Sequence, residues 1–557
     1  MKKKTSWVKG NPAIEHRIVH IDLKGPKIPI KSFYWYLNLL SRWGINGVLV
    51  EYEHRIPYLP LPNQFPPSDR YTKQEIRDLV GYSKNLGIEW IPLIQSFGHV
   101  EYLSRIKGTK ILFEDPDYPQ QLCPSKKQVK QYLKELIEIV CELHPESRYI
   151  HVGQDETHQL GLCPLCRKKV EKIGKIVFYL EHTNLVWDYV RSNGKIPMFW
   201  ADMFFTENRP DLLKKIEEDV IPVVWQYDDT GETSCYAQIG GVKPSKINVK
   251  HPYKITQSGR LVYFAGQGDF FEDLPEKIKK LIGINEKTGY PRSFSQIRVA
   301  ANFNKNLWIT CAVYNCSDML FMPDFVRGVF NPISMCKLGK KLGIKGIIAS
   351  SWARAHSFAP ISPPWTLTLY NLANFAAASY NGKTSQNQIK ERMEEIAKEI
   401  GMPYRFGEFS LDDILWVISG QAPGPGVLGR VHNLEYILKI LRTEKLKSIF
   451  GKGLIISVEA ELLFTKLLFL EEEARWWNPA KEEIPSILKQ EIAQRFSVIK
   501  KEIKKLKISA FKYYTEFVGD EKSFELWWKG LFEFDLYVVE ESIKFLNIGN
   551  TGSDGFS

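Results

Sequence analysis

The sequence predicts a (β/α)8 TIM barrel followed by an all-α carboxy-terminal domain, and three observations support this prediction. Strand-like runs alternate with amphipathic helical runs over the first two-thirds of the chain, which is typical of a parallel sheet with crossover helices. Eight such pairs can be counted, the number that closes a barrel. Beyond about residue 380 the strand pattern fades, and long charged helical runs take over.

The predicted strands are short, apolar and rich in β-branched or aromatic residues, as barrel strands require. They are Arg17–Leu23, Gly47–Tyr52, Glu89–Gln95, Tyr149–Gly153, Ile196–Asp202, Ile221–Trp225, Leu307–Tyr314 and Gly346–Trp352. A helix is expected after each. The clearest helix pattern runs from Val129 to Cys141, where apolar residues recur every three or four positions.

The expected domain boundaries follow from these patterns. The barrel is predicted to occupy residues 1–380, with an insertion at about 228–290 that is rich in Gly, Pro and Lys and carries an extra strand at Arg260–Phe264. A helical domain is expected over 381–545 and a disordered tail over 546–557. The paired tryptophans Trp476–Trp477 and Trp527–Trp528 are interpreted as core or domain-interface anchors.

Composition excludes several classes of protein. The chain has 557 residues, 44% hydrophobic and 25% charged, which is typical of a globular protein with large cores. No apolar run reaches the roughly 18 residues of a membrane span, and the basic start lacks a signal-peptide core, so we expect a cytoplasmic protein without a membrane partner.

The formal net charge of +11 is compatible with an anionic partner. The lysines are scattered along helical runs, however, and no nucleic-acid motif accompanies them, so a solvated surface is the preferred interpretation. A basic interaction protein that binds anionic partners through its helical domain is kept as an alternative.

Two adjacent acids, Asp155 and Glu156, follow the fourth predicted strand after Gly153. In a (β/α)8 barrel the carboxyl ends of the strands carry the active site, so this pair is a candidate for catalysis. Acids at such a position also commonly cap the next helix. The pair alone leaves both interpretations open.

Residues at other strand ends favour catalysis. Charged, imidazole and aromatic groups follow or end most of the predicted strands, and they would converge on one rim of the barrel. They are Asp22, Gly98–His99, Trp200, Asp202, Trp225, Tyr227, Tyr314 and Trp352, with Arg17 opening the first strand. Aromatic faces stack on sugar rings while charged groups bind hydroxyls, so the sequence predicts a pocket for a small carbohydrate.

Seven segments carry a resemblance to a known family. They are RIVHIDLKG (17–25), GINGVLVEYE (44–53), IPLIQSFGHVEY (91–102), HVGQDE (151–156), FWADM (199–203), VVWQYD (223–228) and GIIASSWAR (346–354). These segments resemble glycoside hydrolase family 20, the β-N-acetylhexosaminidases, and are most similar to its cytosolic hexosaminidase D branch. The resemblance implies an exo-acting hydrolase that releases terminal β-linked GlcNAc or GalNAc with retention. The main alternative is a non-catalytic barrel that binds amino sugars.

The resemblance implies substrate-assisted chemistry, in which the 2-acetamido oxygen of the sugar attacks the anomeric carbon and forms an oxazoline. Glu156 would protonate the leaving oxygen and then activate water, which requires a carboxyl that stays protonated near neutral pH. Asp155 would orient the acetamido group and stabilise the oxazolinium. Adjacent side chains diverge along a strand, which accords with two different roles.

The remaining positions carry roles implied by the same resemblance. Arg17 would hold sugar hydroxyls, or else pair with Asp22 on the barrel wall. His99 would support the acids, or else be a core histidine. Substrate-binding roles are expected for Trp200, Asp202, Trp225, Trp352 and Arg354, with ordinary barrel packing as the alternative for the three tryptophans. Either Tyr227 or Tyr314 would hydrogen-bond the acetamido carbonyl.

The sequence departs from many family members at two positions. It has Gln95 where an acid commonly precedes Gly-His, and Arg354 in place of an acid after the last strand. Glu51 and Glu53 could compensate for the lost acids. The preference between gluco and galacto epimers is therefore left open.

The eight cysteines are expected to be reduced thiols, and no cofactor or metal is expected. Cys163 and Cys166 form a CxxC pair that could be half of a zinc site, since thiolates at this spacing suit tetrahedral metal. A single pair is weak support, so free thiols are preferred, although Cys123 or a histidine could complete a site in space.

Overall fold

Eight parallel strands close a barrel in this computed structural model, and a helical region follows it. The structure describes residues 4–234, 253–255, 261–263, 271, 274–315, 321–354, 356–359, 361, 363–382, 386–419, 426–477 and 486–548. The strands are β1 His16–Asp22, β2 Gly47–Glu51, β3 Glu89–Leu93, β4 Tyr149–His151, β5 Ile196–Trp200, β6 Ile221–Trp225, β7 Tyr253–Ile255, β8 Leu261–Tyr263, β9 Trp308–Tyr314, β10 Gly346–Ser351, β11 Arg405–Phe406 and β12 Phe409–Ser410.

The barrel strands are β1 to β6, β9 and β10, in the order β1-β10-β9-β6-β5-β4-β3-β2 around the barrel. Helices cover the outside of the barrel and form the carboxy-terminal region. They are α1 Ile30–Arg42, α2 Lys73–Asn85, α3 Lys127–Leu143, α4 Pro164–Ile173, α5 Lys175–Ser192, α6 Asp202–Thr206, α7 Glu276–Ile282, α8 Ser295–Phe303, α9 Arg327–Leu342, α10 Leu369–Asn381, α11 Gln386–Glu399, α12 Leu411–Ile418, α13 Gly426–Thr443, α14 Ile449–Trp477, α15 Ser486–Phe517 and α16 Glu521–Ile548.

The predicted fold class is confirmed, since all eight expected strands lie in the closed barrel. Three of them, β3, β4 and β5, end two residues earlier than the apolar pattern indicates. The chain leaves the sheet there to form the rim loops, and Asp202 begins α6 instead of ending a strand. Apolar loop residues that pack against the barrel are therefore indistinguishable from strand residues by pattern alone.

Side-chain alternation separates two apolar cores. One residue in two along the strands points inward and fills the barrel, among them Ile18, Leu49, Ile91, Met198 and Ile348. The outward residues pack under the helices, where α3 buries the predicted apolar stripe from Val129 to Cys141. Full burial of each such side chain contributes roughly 1.5–3 kcal/mol.

The insertion and the tail are described only in part. The strands β7 and β8 form an antiparallel pair at the place where one extra strand is predicted. The rest of that strand, Arg260 and Phe264, and much of the 228–290 segment lie outside the described residues. Helix α16 extends to Ile548, three residues into the predicted tail, and 549–557 are not described.

The helical region contacts the rim of the barrel that carries the strand ends. Arg55 follows β2 and donates to the carbonyl oxygens of Leu23 and Gly25 and to Ser523 Oγ at the start of α16. Lys522 pairs with Asp69 at 2.5 Å. The turn between α15 and α16 therefore stabilises the loops after β1 and β2. Within the described chain, none of the helices combines the length and the apolarity needed to cross a bilayer.

Trp527 and Trp528 are buried in the helical region, where Trp527 stacks on Tyr514 with ring centroids 5.2 Å apart. This agrees with the prediction of core anchors. The side chains of Trp476 and Trp477 at the end of α14 lie outside the described part of the chain.

Candidate active site

The acidic pair lies on a tightly constrained loop directly after β4. The backbone φ angles of Gly153, Gln154 and Glu156 are all positive, at 66°, 78° and 47°. Such conformations cost about 1–3 kcal/mol for residues other than glycine, so the surroundings must impose them. The Gln154 side chain accepts from Trp187 Nε1 at 3.1 Å, and its carbonyl accepts from the Tyr179 hydroxyl at 3.0 Å.

The structure excludes helix capping as the role of the pair. Helix α4 begins only at Pro164, and the side chain at its N-cap is Cys163, which accepts from the backbone N–H of Cys166. Asp155 and Glu156 are thus free to act at the mouth of the barrel. Asp155 is buried, whereas the Glu156 side chain is 39% exposed.

His99 joins the two acids. It lies on the loop after β3 with a φ of 52°, and its Nε2 is 3.3 Å from Asp155 Oδ2 and 3.2 Å from Glu156 Oε2. Close packing of the two loops brings it there, because a Cβ atom on Gly98 would lie 2.3 Å from the Asp155 carbonyl oxygen. Glycine is therefore required beside His99.

The charges of this group depend on one another. Burial lowers the pKa of His99, but the charge of Asp155 and the hydrogen bonds to both acids outweigh burial and raise it well above its usual range. The hydrogen bond from His99 lowers the pKa of Glu156, more than burial raises it. Both shifts favour a positive His99 beside an ionised Glu156 in the free protein, whereas the role predicted for Glu156 requires a protonated carboxyl.

Asp202 supports the pair from the neighbouring strand. It follows β5, is buried, and its Oδ2 accepts the backbone N–H of Glu156 at 3.0 Å. Burial raises the pKa of Asp202 well above its usual range, and the charge of Asp155 raises it further. The contact shown by the structure is with the Glu156 backbone, which assigns Asp202 a positioning role that the sequence did not reveal.

Aromatic side chains from three strand ends form one wall of the site. Trp225 stacks on Tyr227 with centroids 5.2 Å apart, and Trp352 Nε1 donates to the Tyr227 hydroxyl at 3.2 Å. Trp200 is fully buried beneath them, with its ring centroid 6.1 Å from that of Trp352. The structure thus brings together Trp225, Tyr227 and Trp352, with Trp200 as their support.

The two candidate tyrosines occupy different places. Burial raises the pKa of Tyr227, and the charge of Asp155 adds to this effect, so its hydroxyl lies within electrostatic range of the acids. Tyr314 ends β9 and lines a small cavity together with Asp22, Tyr36 and Trp365. The contact with Trp352 and the influence of Asp155 distinguish Tyr227.

Arg17 lies at the opposite end of the barrel, so its predicted role in sugar binding is wrong. It is the second residue of β1, and its guanidinium donates to the carbonyl oxygens of Ile14, Glu15 and Gly44. The alternative pairing with Asp22 is also absent, since Asp22 pairs with Lys24 at 2.8 Å. The position of Arg17 at the start of a strand could have indicated this, because the active sites of such barrels form at the carboxyl ends of the strands.

The rim next to β1, β2 and β10 carries a charged group that the sequence did not reveal as a unit. Lys24 pairs with Asp22 and Glu51 and lies over the Trp352 ring, 4.7 Å from its centroid. Glu51 also accepts from Gln95, which occupies the position of the missing family acid. Lys24 could not be recognised as part of this group from sequence spacing, because Glu51 and Trp352 come from other strands.

Glu53 and Arg354 lie at the outer side of this rim. Glu53 is buried and accepts from the Ser357 hydroxyl at 2.9 Å, and its other oxygen has no hydrogen-bond partner among the described residues. Arg354 donates to the Ala359 and Lys24 carbonyl oxygens, at 2.7 and 3.4 Å. Burial lowers the pKa of Arg354, while Glu53 and Asp22 oppose this effect.

A group of sulfur atoms lies beside the acidic loop. Cys123 lies next to Cys163 and Cys166, as the sequence analysis considered. Glu114, which was not predicted from the sequence, lies next to the same three cysteines. The ligand atoms of all four residues lie within 4.8 Å of one another.

Comparison with known proteins agrees with this geometry. Residues 62–241 match the glycosyl hydrolase family 20 catalytic domain. Hexosaminidase D of Bos taurus is 31% identical over 216 residues, covering 38% of this chain and 62% of the relative. Hexosaminidase D of Homo sapiens is 28% identical over 225 residues, covering 39% of this chain and 46% of the relative. The matches thus span about half to three-fifths of these relatives.

Among solved structures, a chitobiase from Flavobacterium johnsoniae is similar at a TM-score of 0.46 and 14% identity, covering 98% of this chain and 74% of that one. The HVGQDE motif with both acids lies inside the segment that matches the family. Residues 62–241 of this chain are therefore similar to the catalytic domain of glycosyl hydrolase family 20, and that similarity includes both acids.

Proposed function

We propose that this protein is an exo-β-N-acetylhexosaminidase that releases terminal β-linked GlcNAc or GalNAc with retention, through an oxazoline formed by the substrate. The observation that carries the proposal is the His99 bridge to Asp155 and Glu156 at the mouth of the barrel. The family match and the hexosaminidase names of two relatives support the substrate class.

Asp155 has one oxygen available for substrate. Its Oδ2 faces His99, whereas its Oδ1 is buried and has no hydrogen-bond partner within the described part of the chain. An unsatisfied buried acceptor is costly, so a donor from substrate would stabilise it. An acetamido N–H is such a donor. It would turn the acetamido oxygen toward the anomeric carbon, and the carboxylate would stabilise the cationic oxazolinium.

Glu156 is the partly exposed acid and would act on the leaving oxygen. In the free protein His99 keeps it ionised, so it needs a proton before it can act as an acid. A sugar seated against the aromatic wall would displace water from Glu156, and desolvation raises the pKa of a carboxyl. After the glycosidic bond breaks, the ionised Glu156 would activate the water that opens the oxazoline.

The aromatic wall and the charged rim supply the rest of the subsite. Trp225 and Trp352 offer ring faces to the apolar side of a sugar, and the Tyr227 hydroxyl is proposed to donate to the acetamido carbonyl oxygen. Glu53 and Arg354 are proposed to meet the outer hydroxyls. Of the two acids expected to compensate, Glu51 is already bound to His20, Lys24 and Gln95. Glu53 has an oxygen without a hydrogen-bond partner among the described residues.

The test uses initial rates on p-nitrophenyl β-GlcNAc and β-GalNAc, which also measure the epimer preference. We expect Glu156→Gln and Asp155→Asn each to lower kcat by about 100-fold or more, with Glu138→Gln on the exposed face of α3 as the matched control. Retention is checked by NMR, which should show the β-anomer of the released sugar first.

The alternative, a non-catalytic barrel that binds amino sugars, makes the opposite prediction. A thiazoline mimic of the oxazoline would then bind the wild type while neither substrate is cleaved at any pH. Full activity in both acid variants would equally contradict the proposed roles. The cytoplasmic location expected from the sequence stays a prediction.

A further inference from the structure

We propose that Cys123, Cys163, Cys166 and Glu114 bind one structural zinc ion that joins the two loops carrying His99 and the acidic pair. The proposal concerns folding of the chain and does not depend on the proposed hydrolase activity. We call these four residues the Cys3Glu cluster. Their ligand atoms all lie within 4.8 Å of one another.

The sulfur separations suit tetrahedral zinc. Cys123 Sγ lies 3.6 Å from Cys163 Sγ and 3.5 Å from Cys166 Sγ. Zn–S bonds of about 2.3 Å in a tetrahedron place sulfur atoms roughly 3.8 Å apart. A disulfide needs about 2.05 Å, so these atoms are not bonded to each other. Three thiols around one point also cannot all be satisfied by a single disulfide.

Glu114 supplies the independent observation that points to a cation. The residue is 3% exposed, and its Oε1 accepts the backbone N–H groups of Gly161 and Cys163, each at 3.0 Å. Its Oε2 is buried and has no hydrogen-bond partner among the residues that the structure describes. Burying a carboxylate oxygen without a partner is costly, and a divalent cation would offset that cost.

The surroundings are those of a metal site with oriented ligands. The backbone N–H of Cys166 donates to Cys163 Sγ at 3.4 Å, as the CxxC turn at the start of α4 requires. The Ser125 hydroxyl lies 3.1 Å from Cys166 Sγ and can donate to a thiolate. Such contacts fix the ligands of a metal and tune their basicity. Binding displaces one proton from each of the three thiols.

The site would hold the catalytic loops in register. Glu114 and Cys123 belong to the chain between β3 and α3, which also carries His99, whereas Cys163 and Cys166 follow Glu156 in the chain between β4 and α4. Other contacts also join the two segments, such as the Gln159 backbone N–H donating to Gln121 Oε1 at 3.0 Å. Thiolate ligands with one carboxylate favour zinc over magnesium or calcium.

The first measurement is zinc content by mass spectrometry of the full chain, purified under reducing conditions and desalted. We expect one zinc per chain in the wild type, loss of zinc in Cys123→Ser and Glu114→Gln, and full zinc in the control Cys141→Ser, a buried thiol outside the cluster. A chelator should lower the Tm of the wild type and of the control, and leave the Tm of Cys123→Ser unchanged.

If the variants do not fold, replacement of the bound metal of the wild type by cobalt tests whether the cluster binds a metal ion. A Cys3Glu site should give thiolate-to-cobalt charge transfer and the strong visible bands of tetrahedral cobalt. Wild-type protein with reduced thiols that holds no zinc and lacks these bands would overturn the proposal. So would full zinc content in Cys123→Ser, or a disulfide within the cluster in protein isolated without oxidant.

Discussion

The backbone N–H of Glu156 donates to Asp202 Oδ2 at 3.0 Å, across the boundary between β4 and β5. Glu156 adopts a left-handed backbone conformation, with a φ of 47°, and this bond holds it there. The side chain of the proposed acid is therefore aimed by a second, buried acid whose own pKa is raised well above the usual range by burial. The carboxyl of Asp202 thus acts as the acceptor for the Glu156 backbone.

Asp202→Ala should impair turnover because it leaves the Glu156 N–H without a partner. An unsatisfied buried donor costs about 1–3 kcal/mol, so kcat should fall about 10-fold or more. Asp202→Asn keeps a carbonyl oxygen that can accept this hydrogen bond, so its kcat should fall far less. Steady-state kinetics of the two variants, side by side, make the comparison. Equal losses in both would contradict the positioning role.

His99→Gln should move the basic limb of the kcat/KM profile to higher pH. The hydrogen bond and the positive charge of His99 lower the pKa of Glu156, so removing them raises this pKa and extends the pH range in which Glu156 is protonated. His158→Gln is the control, because His158 lowers the same pKa least. A basic limb that stays in place, or moves to lower pH, would disprove the electrostatic role of His99.

Arg17→Lys should destabilise the protein without changing substrate binding. The guanidinium makes three bonds to carbonyl oxygens that a lysine cannot reproduce together, so the free energy of unfolding should fall by roughly 2–4 kcal/mol. Urea denaturation and KM are the two measurements. Arg354→Lys, at the catalytic rim, should show the reverse pattern of higher KM and little loss of stability.

Tyr227→Phe should lower kcat/KM by about 10- to 100-fold, because it removes the hydroxyl proposed to hold the acetamido carbonyl. Tyr314→Phe, which changes a hydroxyl in the neighbouring cavity, is the matched control and should have a smaller effect. The two variants are compared on the same p-nitrophenyl substrate. A larger loss in Tyr314→Phe would transfer the role to that residue.

Gly98→Ala should reduce both stability and turnover, since its Cβ would lie 2.3 Å from the Asp155 carbonyl oxygen and push the two catalytic loops apart. Gly81→Ala, in α2 with open space around its Cα, should stabilise the protein by up to about 1 kcal/mol. Thermal unfolding and initial rates distinguish the two. Normal kinetics in Gly98→Ala would show that the loops can separate without loss.

The local sequence pattern was sufficient to predict the barrel fold and the position of the acidic pair Asp155 and Glu156 after a strand. The strands could be recognised because alternation and β-branched content are properties of a few consecutive residues, and the order of eight strand–helix pairs implies one rim for all the strand ends. The pattern failed where apolar loop residues follow a strand, which is why β3, β4 and β5 end earlier than predicted.

The sequence by itself therefore determined the barrel, the position of Asp155 and Glu156 at a strand end, and the aromatic residues of the same rim. The tertiary structure alone decided that Arg17 faces the opposite end, that Asp202 holds the Glu156 backbone, and that Glu114 joins three cysteines. The physical reason is the distance along the chain between the residues that interact. Strand periodicity depends on residues that are neighbours in sequence, whereas charge pairing, pKa shifts and metal geometry depend on atoms that meet only when distant loops pack together.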